Sequence, residues 1–181
     1  MEHFTELDQI KNPDERNLFF VLVNEETGES RGISLEDIHY SVSQIELVEA
    51  VPDSIRSQFN IAKNLAVYSW FSYPFHQISE MKAFSSVEDA LKCVLGKHKH
   101  GFKGLLKKAV CLGLLRDGGF SHIPKPENPA SNEYSQTLPE IMPRLRNNLA
   151  HGSTTLQPGS ITNLRICSEV INQLYENELN K

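Results

Sequence analysis

The sequence predicts a mainly α-helical protein, a bundle of about five helices over residues 52–181 behind a small N-terminal α/β appendage over residues 1–51. Three observations predict it. From Pro52 onward, apolar residues recur at the 3.6-residue helical period. Strand-like runs are confined to the first fifty residues. Breaks at Tyr73-Pro74, Gly96, Gly101, Asp117-Gly118-Gly119 and Gly152 cut the helical part into pieces of ordinary helix length.

Each element has its own warrant. The start is polar, with Phe4, Leu7 and Ile10 spaced like one helical face. Residues 18–23 are apolar and β-prone, and the turn-rich stretch 24–30 stops them. Residues 32–36 read either as a return strand or as the approach to a helix at 35–43. Ser34, with Asp37 three residues later, resembles a capping box and favours the helix. Residues 44–51 read as a strand. Pro52 suits a first helical turn, and Ile55, Phe59, Ala62, Ala66 and Trp70 follow the helical period. The residue before Pro74 avoids the helical region, so this helix stops there. A long helix is expected at 75–95, with Phe75, Ile78, Met81, Phe84, Val87, Leu91 and Val94 on one stripe. Ser85 or Ser86 offers an alternative start for a separate helix near 86. Lys97-His98-Lys99-His100 forms a basic hinge between two glycines. A helix from Phe102 to Leu114 follows, then a proline-bearing loop over 117–136, long enough to read as functional or mobile. A helix from Pro139 to His151, stopped by Gly152, and one capped by Ser160 complete the bundle.

Composition narrows the function. The chain has 181 residues, 39% hydrophobic and 23% charged, which is globular composition. No apolar run approaches the roughly 20 residues that span a bilayer, and the N-terminus is polar and acidic rather than a secretory leader. Cys93, Cys111 and Cys167 are scattered, odd in number and unpaired by any CxxC, which fits a reducing, cytoplasmic setting and gives no thiolate metal site. The net charge of −5 divides unevenly, −10 over residues 1–90 and +5 over residues 91–181. Overall acidity discourages indiscriminate nucleic-acid binding, while the basic half can still offer a local phosphate-binding surface. Phosphate-loop, dinucleotide, zinc-protease and nucleophile-elbow motifs are absent from the sequence, and no cofactor is implied.

The most informative segment is Pro143-Arg144-Leu145-Arg146-Asn147-Asn148-Leu149-Ala150-His151-Gly152. On a helix, Asn147 and His151 stack on one face. Arg146 lies about 140° around the axis from His151 at about 100° per residue, so one chain points the two apart. A frayed helix end or a second copy would bring them to a common cleft. The same residues also suit plain helix termination, because a cation near a helix C-terminus is favourable.

The run Arg146-Asn147-Asn148-Leu149-Ala150-His151 resembles the R-x4-H motif of the HEPN superfamily, with Asn147 as its polar residue. The region from Val67 to Phe75 and on through Ala90-Leu91 is also similar to uncharacterised bacterial proteins of that type. The resemblance covers about residues 52–178. It implies an up-and-down bundle that forms a homodimer with the two motifs facing each other. It also implies a metal-independent endoribonuclease, of the kind found in toxin–antitoxin, phage-defence and RNA-guided systems. The alternative within the same family is a non-catalytic module that binds RNA or a nucleotide, or that regulates a protein partner such as an antitoxin. On the catalytic reading, His151 moves a proton, Arg146 holds phosphate oxygens and Asn147 orients His151 or contacts the phosphate. Family members often carry an acid on the preceding long helix, which makes Glu80 and Glu88 candidate supports for the Arg–His pair. Lys103, Lys107 and Lys108 would track an RNA backbone. Arg144 would either add a phosphate contact or pair with Glu140 one turn earlier.

Overall fold

The computed structural model describes residues 3–96, 99, 101–151 and 159–176. The expected Gly152 stop and most of the 97–100 hinge lie outside these residues. Six α-helices and one two-stranded sheet are present among them: β1 (Val21–Val23), β2 (Ser30–Gly32), α1 (Leu35–Ser43), α2 (Asp53–Tyr68), α3 (Phe75–Leu95), α4 (Gly101–Cys111), α5 (Leu138–Ala150) and α6 (Ser160–Glu176). The protein is therefore a mainly helical bundle with a small antiparallel hairpin, and no described helix is long and apolar enough to cross a membrane.

Helix α3 is the axis of the fold. It packs most extensively against α2 and α6, and it also meets α4 and α5. Its inward positions explain why it can touch so many neighbours. His76, Ser79, Glu80, Ala83, Phe84, Ser86, Val87, Ala90 and Leu91 are all buried, so the helix is enclosed on most sides. Small residues let the neighbours come close. Ser79 Oγ donates to the Ala62 carbonyl of α2 at 2.8 Å, and Ala62, Ala66, Ala83 and Ala90 have no exposed surface. The expected stripe is therefore corrected over its first turns: Phe75 and Ile78 are exposed, and the buried face there is polar. Helical period alone cannot distinguish a stripe of apolar residues from an adjacent stripe of small, internally bonded polar ones.

The helix ends follow local chemistry. Ser34 and Asp37 form the expected capping box at the start of α1, with Asp37 N–H donating to Ser34 Oγ and Ser34 N–H to Asp37 Oδ2. The strand alternative at 32–36 also has a counterpart, because β2 pairs with β1 just before that cap. Helix α4 stops at Cys111, three residues earlier than expected. Gly113 has φ +69°, and Leu114 N–H reaches back to the Ala109 carbonyl, a glycine-terminated helix end that turns Leu114 and Leu115 back into the core. Helix α3 runs unbroken through Ser85 and Ser86.

The stretch 44–51 is corrected from strand to an irregular segment held by side chains. Arg56 donates to the Leu47 and Val48 carbonyls, Lys63 to the Ile45 carbonyl at 2.6 Å, and Asn172 bonds both Val48 N–H and the Glu46 carbonyl. Those side chains satisfy backbone groups that a strand would have spent on a partner strand. Ile45 and Val51 join Ile38, Val42 and the helices in one core. Asp14 and Asn17 fasten the preceding chain to the α2–α3 turn. Asp14 N–H donates to the Trp70 carbonyl at 2.8 Å, and Asn17 Nδ2 to the carbonyls of Ser69 and Trp70.

The loop 117–136 is ordered by one carboxylate. Asp117 is buried and accepts from Ser131 Oγ, Tyr134 N–H, and both the N–H and Oγ of Ser135. Burial raises its pKa, but those four donors outweigh it and hold the carboxyl below its ordinary value.

Candidate functional site

Helix α5 delivers the motif. Pro139 in its first turn suits the helix start, and Pro143 sits inside it, where it removes one backbone donor. One turn past Pro143, Arg146 is half-buried between α3 and α4. Its Nη2 lies 2.9 Å from Glu88 Oε2, and its guanidinium carbon lies 5.7 Å from the centre of the Phe102 ring. Glu88 also meets Lys92 Nζ at 3.0 Å, one turn further along α3. A planar cation over a ring, with a carboxylate at its edge, is a fixed cation rather than a waving one.

Asn147 and His151 go the other way. Both are exposed. His151 is the residue just beyond α5, with φ −89° and ψ 13°, and its backbone N–H closes on the Asn147 carbonyl at 3.0 Å. Within one chain, then, Arg146 turns inward to α3 and α4 while His151 faces solvent, as helical spacing requires.

The other candidates separate into two groups. Glu88 touches Arg146. Glu80 instead sits against α6: it is buried, its carboxyl bonds Asn163, and its Oε1 has no hydrogen-bond partner among the described residues. Burial raises the Glu80 pKa, and the Asn163 bond only partly opposes that. Lys103 and Lys107 are exposed on α4. Lys103 Nζ pairs with Glu140 Oε2 at 2.6 Å, which draws the Glu140 pKa down. Glu140 thus meets α4 rather than Arg144, which is exposed. Lys108 Nζ donates to the Leu95 carbonyl at 3.2 Å, closing the end of α3.

Sequence reasoning missed three participants. Lys92 was legible as an i,i+4 partner of Glu88. Phe102 reads from sequence as core only, and its ring is both core and platform for Arg146. His76 carried no signal at all. Its ring is buried, its Nδ1 is hydrogen-bonded to Ser160 Oγ at the start of α6, and the Tyr73 ring stands edge-on to it at 4.7 Å. Burial pulls its pKa down to about 4, against a small opposing effect of Asp14.

No family model, curated protein or solved structure matches this chain.

Proposed function

We propose that this protein is a metal-independent endoribonuclease of HEPN type, acting as a homodimer on RNA. The observation that carries the reading is the end of α5: a cation seated by Glu88 and Phe102, with Asn147 exposed beside it and His151 exposed on the next turn. The chemistry is transesterification. His151 takes the proton of a ribose 2′-OH as its oxygen attacks the adjacent phosphorus. The new O2′–P bond forms and the P–O5′ bond breaks. The departing 5′ oxygen receives a proton from the His151 of a second copy, leaving a 2′,3′-cyclic phosphate. Arg146 stabilises the charge that accumulates on the non-bridging oxygens, and Asn147 orients His151 or the phosphate. Glu88 holds Arg146 in place and does not touch substrate. DNA has no 2′-OH and is not cut by this route.

One observation favours the second reading, a non-catalytic RNA-binding or regulatory module. The Arg146 guanidinium already has a carboxylate partner in the single chain. The experiment that separates the two is cleavage of a labelled single-stranded RNA with EDTA present, wild type beside His151→Ala, with binding measured in parallel. Cleavage by the wild type alone supports the nuclease. Equal RNA binding with no cleavage by either protein supports the binding module.

A further inference from the structure

Among the described residues, the β1–β2 hairpin has two unpaired edges of unlike character. The β2 edge, Ser30-Arg31-Gly32, carries a charge and a glycine, devices that discourage further strand pairing, and Arg31 is held by Asp37 at 2.6 Å. The β1 edge, Val21-Leu22-Val23, carries no charge, proline or glycine, and all three side chains are exposed. The hairpin pairs Val21 with Gly32, Leu22 with Arg31 and Val23 with Ser30. Just outside it, Ile33 N–H bonds the Phe20 carbonyl and Asn24 N–H the Glu29 carbonyl. Hydrogen-bonded pairs alternate along an antiparallel ladder, so Val21 and Val23 turn their N–H and C=O groups away from β2. Val21 and Val23 share the outward face, both at 59% exposure, while Phe20 stacks on Tyr73 and fixes the other face to the bundle.

We propose that β1 pairs with β1 of a second copy, antiparallel and centred on Leu22, giving a four-stranded sheet about a two-fold axis. In that register Val21 lies opposite the partner's Val23, and Val23 opposite the partner's Val21. All four outward backbone groups of each copy are then bonded, and Leu22 meets the partner's Leu22 as a non-hydrogen-bonded pair. The edge is thus complementary to itself, so a second copy satisfies it in full. Charge selects the antiparallel sense. Glu25, Glu26 and Glu29 crowd the hairpin turn, and antiparallel pairing sends the two acidic turns to opposite ends, whereas parallel pairing would abut them. A lone two-stranded hairpin is marginal in water, and pairing supplies the strands it lacks. The contact is small beside a standard interface, so the association is concentration-dependent, with a dissociation constant of about 10 µM to 1 mM. This surface is separate from the Arg146 motif and does not rest on the nuclease reading.

The test is sedimentation equilibrium of the full chain from about 5 to 500 µM, bracketing that range. Wild type is compared with Val21→Pro/Val23→Pro and with Gly32→Pro. Of the backbone donors, the first variant removes only the outward ones of β1. Phe20, at φ −85° and ψ 138°, already has the extended backbone that a following proline requires. Wild type and Gly32→Pro are expected to show a concentration-dependent doubling of average mass beyond any dimer formed through the Arg146 motif, and the double variant to lose that added step. In a Cys93→Ser/Cys111→Ser background, Leu22→Cys is expected to give a disulfide-linked dimer with oxidised glutathione, and Ser30→Cys is not. This second arm decides the question even if the proline variant misfolds. A wild-type mass independent of concentration, the same mass-against-concentration curve in the double proline variant as in wild type, or equal cross-linking at positions 22 and 30 would each overturn the proposal.

Discussion

His151 stands at the end of α5, exposed, and among the described residues only its backbone N–H is engaged. A side chain so exposed holds little packing among the described residues. Its replacement by alanine is expected to change stability by no more than about 0.5 kcal/mol. On the nuclease reading, the same change lowers RNA cleavage by about 10² to 10⁴. A melting curve and an initial rate on one preparation check both. A large loss of melting temperature with no activity to lose would mean that His151 only terminates the helix. His76 behaves in the opposite way. It is buried and neutral, bonded to Ser160, and its folded-state pKa of about 4 lies below the ordinary histidine value. The unfolded chain therefore takes up a proton first as pH falls. The stability tied to neutral His76 is complete above about pH 6.5 and is lost progressively down to about pH 4. At about 1.4 kcal/mol per pKa unit, the loss is on the order of 2 to 3 kcal/mol. Urea midpoints from pH 7 to 4 are expected to fall more steeply for wild type than for His76→Gln. Parallel curves would remove His76 as a source of acid sensitivity.

Between elements, the tightest constraint is the approach of the 117–119 turn to α6. A Cβ built on Gly119 would lie 2.2 Å from Gln173 Cδ. Gln173 cannot simply step aside, because its Oε1 accepts from Arg116 N–H at 2.8 Å. Gly119→Ala is therefore expected to cost about 1 to 3 kcal/mol, read from a denaturant midpoint. Gly118, with open space around it, is expected to tolerate alanine. Most of this level was legible in the sequence, because caps and breakers act locally. The Ser34–Asp37 box and the start of α3 required only a few neighbouring residues to be read, whereas α2 stops at Tyr68, short of the expected Tyr73-Pro74 break. What was not legible depends on groups far apart in the chain. Residues 44–51 look β-prone until Arg56, Lys63 and Asn172 take their backbone groups. The inward turn of His76, Ser79 and Glu80 depends on how closely α2 and α6 approach α3. Among the site residues, the Arg146–His151 divergence followed from helical spacing alone. The choice of Glu88 over Glu80 as the partner of Arg146 depended on which face of α3 meets α5.

At the scale of the molecule, the uneven charge has a measurable consequence for RNA. The exposed Lys103 and Lys107 stand on α4, beside the helix that carries Arg146, and Glu140 neutralises part of that face. If this face tracks an RNA backbone, binding falls with salt at a log–log slope of about −0.7 per phosphate neutralised on a single strand. Lys103→Ala/Lys107→Ala/Lys108→Ala is expected to flatten the slope by about one to two units. Glu140→Gln, by freeing Lys103, is expected to steepen it. Fluorescence titrations at four or five salt concentrations measure both changes, and an unchanged slope in the triple variant would remove α4 from the RNA path.

The Asp14 and Asn17 clasp on the α2–α3 turn also has an optical consequence. Both of its bonds to Trp70 end on the carbonyl of the chain's single tryptophan, whose side chain packs half-buried against the core. The indole is therefore a built-in reporter of whether residues 14–17 are seated, with no dye and no second tryptophan to subtract. Asn17→Ala is expected to move its emission to longer wavelength and to raise its quenching by iodide, while the far-ultraviolet helical signal stays unchanged. The same tryptophan can then report, in stopped flow, how quickly this segment releases and reseats.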